Sequence, residues 1–511
     1  MYPKKNIMLL VVLCLALVLS ACSGGNGNGK NGGSDPAPGN TGTAQNGEEK
    51  KPAEELSKVE LVWYYPQPAI PSDLKSVESK VNELIEPKIN ATVKLMPLAF
   101  GDYTQKMNTV IASGEKADIV WTSNWNFNYV QNQSKGAFIP LDELIDRYAP
   151  DVKASMPDFV WEATRIDGQI YGVPNYQTVT NREGFVLQKE FYDLYKPEAE
   201  MKQLADLAPL LEQVKQKHPD LIPFAVGRQG MFSYMNRTYG LESVLANIAV
   251  IHLDNPDKIV NMYETEEYRQ YLDTMRDFYE KGYINEDAAT LKSIGDYQKA
   301  GQAVGGFHNV LKPGGEAEAK AAQGGKDMQY AFTTDAYVGT NTIITTLQAI
   351  PVHSGNPERA MMLINLVNTD PELFNLLAFG IEGTHYNKKS DGSVELVPDS
   401  TYTASDWVFG NVFNGYTLAG KDPNVAKETK ELNESATPSP IIGFKFVTES
   451  VSAEIANVTT VIDEYGPGLN TGTVAADRIL EEFQGKLKQA GIDRVIEEAQ
   501  RQLDEWKASV Q

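Results

Sequence analysis

The apolar positions of this chain change period along its length, and those changes divide it into regions. From Ser57 the first pattern is Val59-Glu60-Leu61-Val62-Trp63-Tyr64-Tyr65, a strand stopped by Pro66 and Pro68. Leu74 to Ile85 then carries Val77, Val81, Leu84 and Ile85 at helical spacing. Ala91 to Met96 alternates as a second strand, and Tyr103 to Ser113 reads as a second helix. Ala117-Asp118-Ile119-Val120-Trp121 is a short, continuously apolar third strand. Strand, helix, strand, helix, strand at these lengths predicts an α/β layer with a largely parallel sheet.

The same grammar returns further on. Met201 to Lys217 is an amphipathic helix and Phe224-Ala225-Val226 a strand. Glu266 to Lys281 places Tyr268, Tyr271, Leu272, Met275 and Phe278 on one helical side, and Val304–Phe307 and Tyr330–Phe332 read as short strands. Asn356 is positioned as an N-cap with Pro357 at the first helical position, opening a helix through Met361, Ile364 and Val367. The body therefore reads as two α/β lobes. The tail differs: Ile479, Leu480, Phe483 and Leu487 share a face, Gly491 sits where a C-cap glycine belongs, and Val495, Ile496, Ala499, Leu503 and Trp506 mark another helix. A helical hairpin appended to the lobes is expected.

The N-terminus reads as an address. Lys4 and Lys5 precede an apolar run, Ile7 to Leu19, that is shorter than the ~20 residues a bilayer span needs. Leu19-Ser20-Ala21-Cys22 follows and resembles the bacterial lipobox, which makes residues 1–21 a lipoprotein signal peptide and Cys22 the lipidated first residue. Residues 22–57 are rich in Gly, Asn and Ser, an expected flexible tether with a reach of about 30 Å. Gly25-Asn26-Gly27-Asn28-Gly29-Lys30 lacks the preceding strand and following helix of a phosphate loop.

Composition removes several functions. At 511 residues two or three domains are expected, and 68 acidic against 46 basic residues give a formal net charge of −22. Such a chain repels nucleic acid, so no nucleic-acid partner is expected. The only cysteines are Cys14 and Cys22, which excludes a disulfide framework, a cysteine–zinc site or a cysteine nucleophile in the body. The five histidines are scattered, and no HExxH, GxSxG, P-loop or EF-hand pattern occurs. No metal, cofactor or catalytic residue is expected. Among so many carboxylates a glycosidase pair stays open at this level.

Local motifs then carry a resemblance. Ala112-Ser113-Gly114-Glu115-Lys116-Ala117-Asp118-Ile119-Val120, Gly136-Ala137-Phe138-Ile139-Pro140-Leu141-Asp142, Asp167-Gly168-Gln169-Ile170-Tyr171-Gly172-Val173-Pro174 and Asn356-Pro357-Glu358-Arg359-Ala360 resemble the motifs of extracellular solute-binding lipoproteins of ABC importers. The group is family 1, which includes the maltose-binding proteins. Phe379 to Tyr386, Trp407 to Asn411 and Gly443 through Trp506 resemble LipO-type members with their uncharacterised C-terminal domain. The resemblance implies a type II periplasmic-binding-protein-like clamp: an N-terminal lobe of 58–174 and 337–392, a C-terminal lobe of 178–334 and 395–440, and a C-terminal domain of 441–511. Hinge crossings are expected near Val173–Tyr176, Thr334–Val338 and Leu396. It implies a monomeric, non-enzymatic receptor, held on the extracellular face of the membrane by its lipid. An oligosaccharide ligand and ABC permease partners follow. A receptor for another solute such as a peptide, or an anchored glycan hydrolase, are the competing readings.

Sugars present apolar ring faces and an equator of hydroxyls, so their sites combine aromatic faces with amide and hydroxyl side chains. Tyr65 and Gln67 end the first strand; Trp125 and Asn126 follow the third, in a loop where the family places a binding contact, while Trp121 reads as core. Tyr176 and Gln177 fit either a cleft contact or a hinge contact. Phe232 and Tyr234 lie in a polar loop of the second lobe, where relatives supply stacking rings. His308 and Asn309 end a strand after Gly305-Gly306, where backbone passes close to something. A lone histidine there also fits a purely structural role. Trp407 falls where relatives place a late aromatic contact, and packing against the tail would explain it equally.

Overall fold

The computed structural model describes residues 57–510. The signal segment, Cys22 and the tether lie outside the described residues. In the first lobe a five-stranded sheet runs in the order Ala91–Ala99, Val59–Gln67, Ile119–Thr122, Leu347–Ala349, Val173–Pro174. The first three strands are parallel, with Val59 opposite Ala91 and Trp63 opposite Ile119. Leu347–Ala349 runs antiparallel to them, and Val173–Pro174, antiparallel to Leu347–Ala349 in turn, runs with the first three. Helices Leu74–Ile89 and Phe100–Ser113 make the crossovers that parallel strands require. Val77, Val81, Ile85 and Ile89 are the buried stripe of the first of these.

The motif residues turn out to be staples of this lobe. Asp118 accepts the Val62 N–H at 2.9 Å, the Ser354 hydroxyl at 2.9 Å and the Asn356 amide at 3.1 Å. Asn356 thus spends its side chain on Asp118 and makes no side-chain cap, although Pro357 does open helix Pro357–Thr369. Asp142 accepts the Ile170 N–H at 2.9 Å and Arg165 at 2.8 Å. Asp167 and Gly168 both have positive φ, which closes the two-residue hairpin between Arg165–Ile166 and Gln169–Ile170. His385, fully buried, accepts the Ile381 N–H on Nδ1, so Nε2 carries the proton toward Asp73 at 3.0 Å.

The second lobe departs from the expected grammar. Its sheet runs Met328–Phe332, Gly184–Gln188, Ala303–His308, Ile222–Phe224, and only the last pair is parallel. The reason is topological: Gly184–Gln188 carries the chain in from the first lobe and Met328–Phe332 carries it back, so as neighbours they run oppositely. A separate antiparallel meander, Leu241–Leu245, Ala249–His252 and Asn255–Asn261, had no clear sequence signal. The glycine pair also resolves. A Cβ on Gly305 would lie 2.5 Å from Leu187 on the neighbouring strand, so the close approach is strand packing; Gly306 faces open space.

Three extended segments join the lobes. Asn181 and Tyr337 exchange backbone hydrogen bonds at 2.7 and 3.0 Å, and Tyr337–Val338 pairs in parallel with Thr437–Pro438. Leu396, expected as the third crossing, instead ends a local hairpin with Tyr386–Lys388 and is 43% exposed. The third crossing is at Thr437–Pro438, because the segment expected in the second lobe, 395–440, divides. Tyr402, Val408 and Phe409 are buried in the first lobe's core. The Gln348 amide, itself bonded to the Trp63 indole, holds the Val408 carbonyl at 2.6 Å.

The tail is three helices, Ser452–Asn470, Ala476–Ala490 and Ile492–Val510, the first of them not foreseen. Phe483, Leu487, Val495 and Leu503 share one continuous core with Phe224, Tyr268 and Tyr271 of the second lobe. Asn470 accepts the Tyr268 hydroxyl at 2.8 Å and donates to the Gln229 carbonyl at 3.1 Å. Gln500 caps the meander's edge strand, accepting Ile259 N–H at 2.8 Å and donating to Asp257 O at 2.9 Å. Gly472 is where tail and lobe meet most tightly: its φ is 69° and a Cβ there would collide with the Met275 backbone. Gly472→Ala is expected to cost at least ~2 kcal/mol in denaturant unfolding. A loss under ~0.5 kcal/mol would mean that the tail packs loosely on the lobe. Among the described residues no helix is long and apolar enough to cross a membrane, and no cluster of His, Cys, Asp and Glu could hold a metal ion.

Candidate ligand-binding cleft

Between the lobes lies a cavity of about 510 Å³, lined by Trp125, Thr342, Thr345 and Trp407 of the first lobe, Gln177, Thr178, Thr180 and Asn181 of a crossing strand, and Asn309 and Val310 of the second lobe. Its aromatic wall is built rigidly. The loop after strand Ile119–Thr122 is pinned by Ser123, whose Oγ accepts the Trp125 and Asn126 N–H groups at 3.2 and 2.8 Å. The Trp125 indole donates to Thr345 O at 3.0 Å, leaving the ring 55% exposed. Trp407 stacks on Phe100 with centroids 5.7 Å apart and 17° between planes, and Trp125 lies 6.3 Å from Trp407. Phe100 backs the two tryptophans, which make a shelf on which the Trp125 indole N–H is already bonded inward.

A second cavity of about 470 Å³ adjoins the first, sharing Asn181, Asn309 and Thr342, and adds Asn128, Tyr234, Arg237 and residues 444–448 to the lining. A third, of about 570 Å³, adjoins the first at Thr178 and is lined by Phe379, Phe413, Tyr416 and Asp406 among others. Burial raises the Asp406 carboxyl above its ordinary value. Beneath the second cavity sits a buried carboxylate, Glu183. It accepts the Thr238 N–H at 2.8 Å, the Thr238 hydroxyl at 2.7 Å and the Arg237 N–H at 3.3 Å. Desolvation outweighs these donors and pushes its pKa up to about 7. Arg237 stacks over Tyr337, whose hydroxyl bonds Glu242, and Ser439 donates to the same carboxylate at 2.8 Å. Burial lowers the Arg237 pKa and raises that of Glu242.

Of the eleven ligand-contact candidates, the structure brings Trp125, Gln177, Asn309 and Trp407 to one cavity and Tyr234 to the next. The others go elsewhere. Tyr65 is buried against Phe409 at 5.1 Å, because the first strand is central and covered on both faces. Gln67 is buried and accepts the Ser405 N–H at 2.7 Å. Asn126 donates to Phe100 O at 3.0 Å and accepts from Thr104, so it positions the shelf and does not line the cavity. The Tyr176 ring is buried edge-on against Phe413 at 5.1 Å. Phe232 is buried among Tyr239, Tyr268 and Tyr271, since its short 3₁₀ turn points it inward and Tyr234 outward. His308 is exposed beside helix Gly315–Ala322, with Nδ1 accepting the Val310 N–H at 3.1 Å.

Sequence reasoning missed Phe100, Thr178, Thr180, Asn181, Thr342 and Thr345. The signal was there in part: residues 340–346 and 178–181 are dense in Thr and Asn beside chain crossings. The pairing of the two segments across a cleft was not.

Two α/β lobes, three connecting strands and a crevice lined from both sides define the two-lobe class of solute-binding proteins. The chain belongs to the family described as bacterial extracellular solute-binding protein, whose profile matches residues 83–382, and residues 440–508 match a domain of unknown function, DUF3502. It is 30% identical over 444 residues to a carbohydrate ABC transporter substrate-binding protein of Streptococcus pneumoniae, covering 85% of this chain and 89% of that one. The crystal structure of the N-glycan transport solute binding protein NgtS from S. pneumoniae is similar, with a TM-score of 0.73 and 28% identity over 88% of this chain and 99% of that one. Its complexes with Man1GlcNAc and Man5GlcNAc give TM-scores of 0.62 and 0.59. Lipoprotein LipO of Bacillus subtilis is 23% identical over 44% of each chain.

Proposed function

We propose that this protein is an extracellular receptor that closes its lobes on a carbohydrate of oligosaccharide size and passes it, chemically unchanged, to the permease of an ABC importer. The observation that carries the reading is the Trp125–Trp407 shelf facing Thr180, Asn181 and Asn309 across the same cavity. Aromatic faces take the apolar faces of sugar rings, and the amides and hydroxyls take the equatorial hydroxyls. Three adjoining cavities give room for more than one ring. The kinship with a carbohydrate substrate-binding protein supports the ligand class. The lower TM-scores against glycan-bound NgtS than against its other structure fit a clamp whose lobes rotate on binding. In this reading Cys22 is acylated, the protein is monomeric, and it works on the outer face of the cell membrane.

Small-angle scattering and product analysis on one sugar panel test it together. A bound oligosaccharide is expected to shrink the radius of gyration and to be recovered intact. No shrinkage on saturation would sink the clamp, and new reducing ends would make the protein a hydrolase. Cys22→Ser is expected to release the protein from the membrane fraction; a variant that stays there with the wild-type intact mass would refute the anchor.

A further inference from the structure

The tail domain carries no assigned role, yet one of its segments lines the interlobe crevice. Phe444 to Thr448 forms a side of the 470 Å³ cavity. This strap is fixed at both ends. Gly443 N–H donates to Thr340 Oγ1 at 2.8 Å, and Lys445 Nζ reaches the Arg165 carbonyl of the first lobe at 2.6 Å. The Phe444 ring packs on Trp506 at 5.7 Å. The Gln502 side-chain amide, on the last helix, both accepts from and donates to the Val447 backbone at 2.9 Å. A tail whose helices belong to the second lobe's core therefore holds a short wall against the first lobe.

The facing walls suit a sugar. Exposed Gln131 and part-buried Asn128 come from the first lobe, Ser243 and the 53%-exposed Tyr234 from the second. The cavity opens into the Trp125–Trp407 site through Asn181 and Asn309. We propose that the strap Phe444–Thr448 is one wall of a distal subsite for the far residues of an oligosaccharide, so that the tail domain sets how long a glycan the cleft accepts. The inference rests on the carbohydrate reading above. A short sugar seated on the tryptophan shelf would not reach the strap; a longer one would lie between Thr448 and Tyr234.

The test is calorimetry of the full chain with Man1GlcNAc and Man5GlcNAc. Thr448→Trp fills the subsite from the tail, Thr448→Gln does so more gently, and Tyr234→Ala removes an exposed ring whose loss leaves the core untouched. Each is expected to weaken Man5GlcNAc at least about fivefold while Man1GlcNAc changes less than about twofold. Wild type that binds both glycans, with folded tail variants that bind the long one as tightly or lose both equally, would overturn the subsite alone. Wild type that binds neither would overturn the carbohydrate reading for these glycans and the subsite with it.

Discussion

Trp407→Ala is expected to weaken oligosaccharide binding by about 30-fold, or about 2 kcal/mol, with Trp125→Ala close behind. Each ring lines the cavity and has a face or edge against another aromatic, so truncation removes contact area there, and Trp407 in addition covers the edge of the buried Trp121. The scaffold at Trp407 is held by its backbone, since the carbonyl accepts from Asn175 at 3.1 Å and from Thr346 at 3.1 Å, bonds that survive the substitution. Asn126→Ala should have a smaller effect of the same sign, because its side chain holds Phe100 under the shelf without reaching the cavity. Calorimetry on the three variants, each checked for an unchanged melting curve, decides the matter. Folded tryptophan variants with wild-type affinity would remove the site from this cleft.

The second large effect is on stability as a function of pH. Glu183 is 4% exposed, and its pKa rises from 4.5 to about 7 in the folded protein. Between those values the unfolded chain holds the carboxylate ionised while the folded chain keeps it protonated. The folded state therefore binds more protons, and its stability falls as pH rises through that window. Below pH 4.5 the penalty is absent; above about 7 it is complete and worth about 3 kcal/mol. Glu183→Gln keeps the shape and deletes the titration. The difference in unfolding free energy between wild type and variant should thus swing by about 3 kcal/mol between pH 4.5 and 7.5, with the variant gaining as pH rises. Glu242, also raised by burial, and Arg237 face the same space, and both remain in the variant. Parallel pH profiles would show that Glu183 stays ionised in the folded protein.

Family membership was legible in the sequence for a reason the structure makes plain. Asp118, Asp142, Gly168 and Pro357 form a pattern because each closes a short, geometrically demanding staple in the scaffold. None of them lines the cleft. The binding candidates were read from residue type at strand ends, and that rule could not separate Trp125 from Tyr65, or Tyr234 from Phe232. The difference between the last two is the direction of one 3₁₀ turn, and between the first two the number of layers covering a strand.

By itself the sequence determined the elements with strong local periodicity: the three parallel strands of the first lobe, helix Glu266–Glu280 with its apolar stripe, and the last two tail helices. These depend on neighbours a few residues apart, which any stretch of chain displays. Tertiary structure alone decided that Tyr402, Val408 and Phe409 belong to the first lobe, that Thr437–Pro438 and not Leu396 is the third hinge strand, and that the tail shares the second lobe's core. Those outcomes depend on which apolar surfaces find each other across hundreds of residues, and burial is non-directional, so one segment's hydrophobic pattern names no partner. The cleft was the least legible part, because its polar groups come from segments far apart in the chain and become a site only when three crossing strands set two lobes face to face.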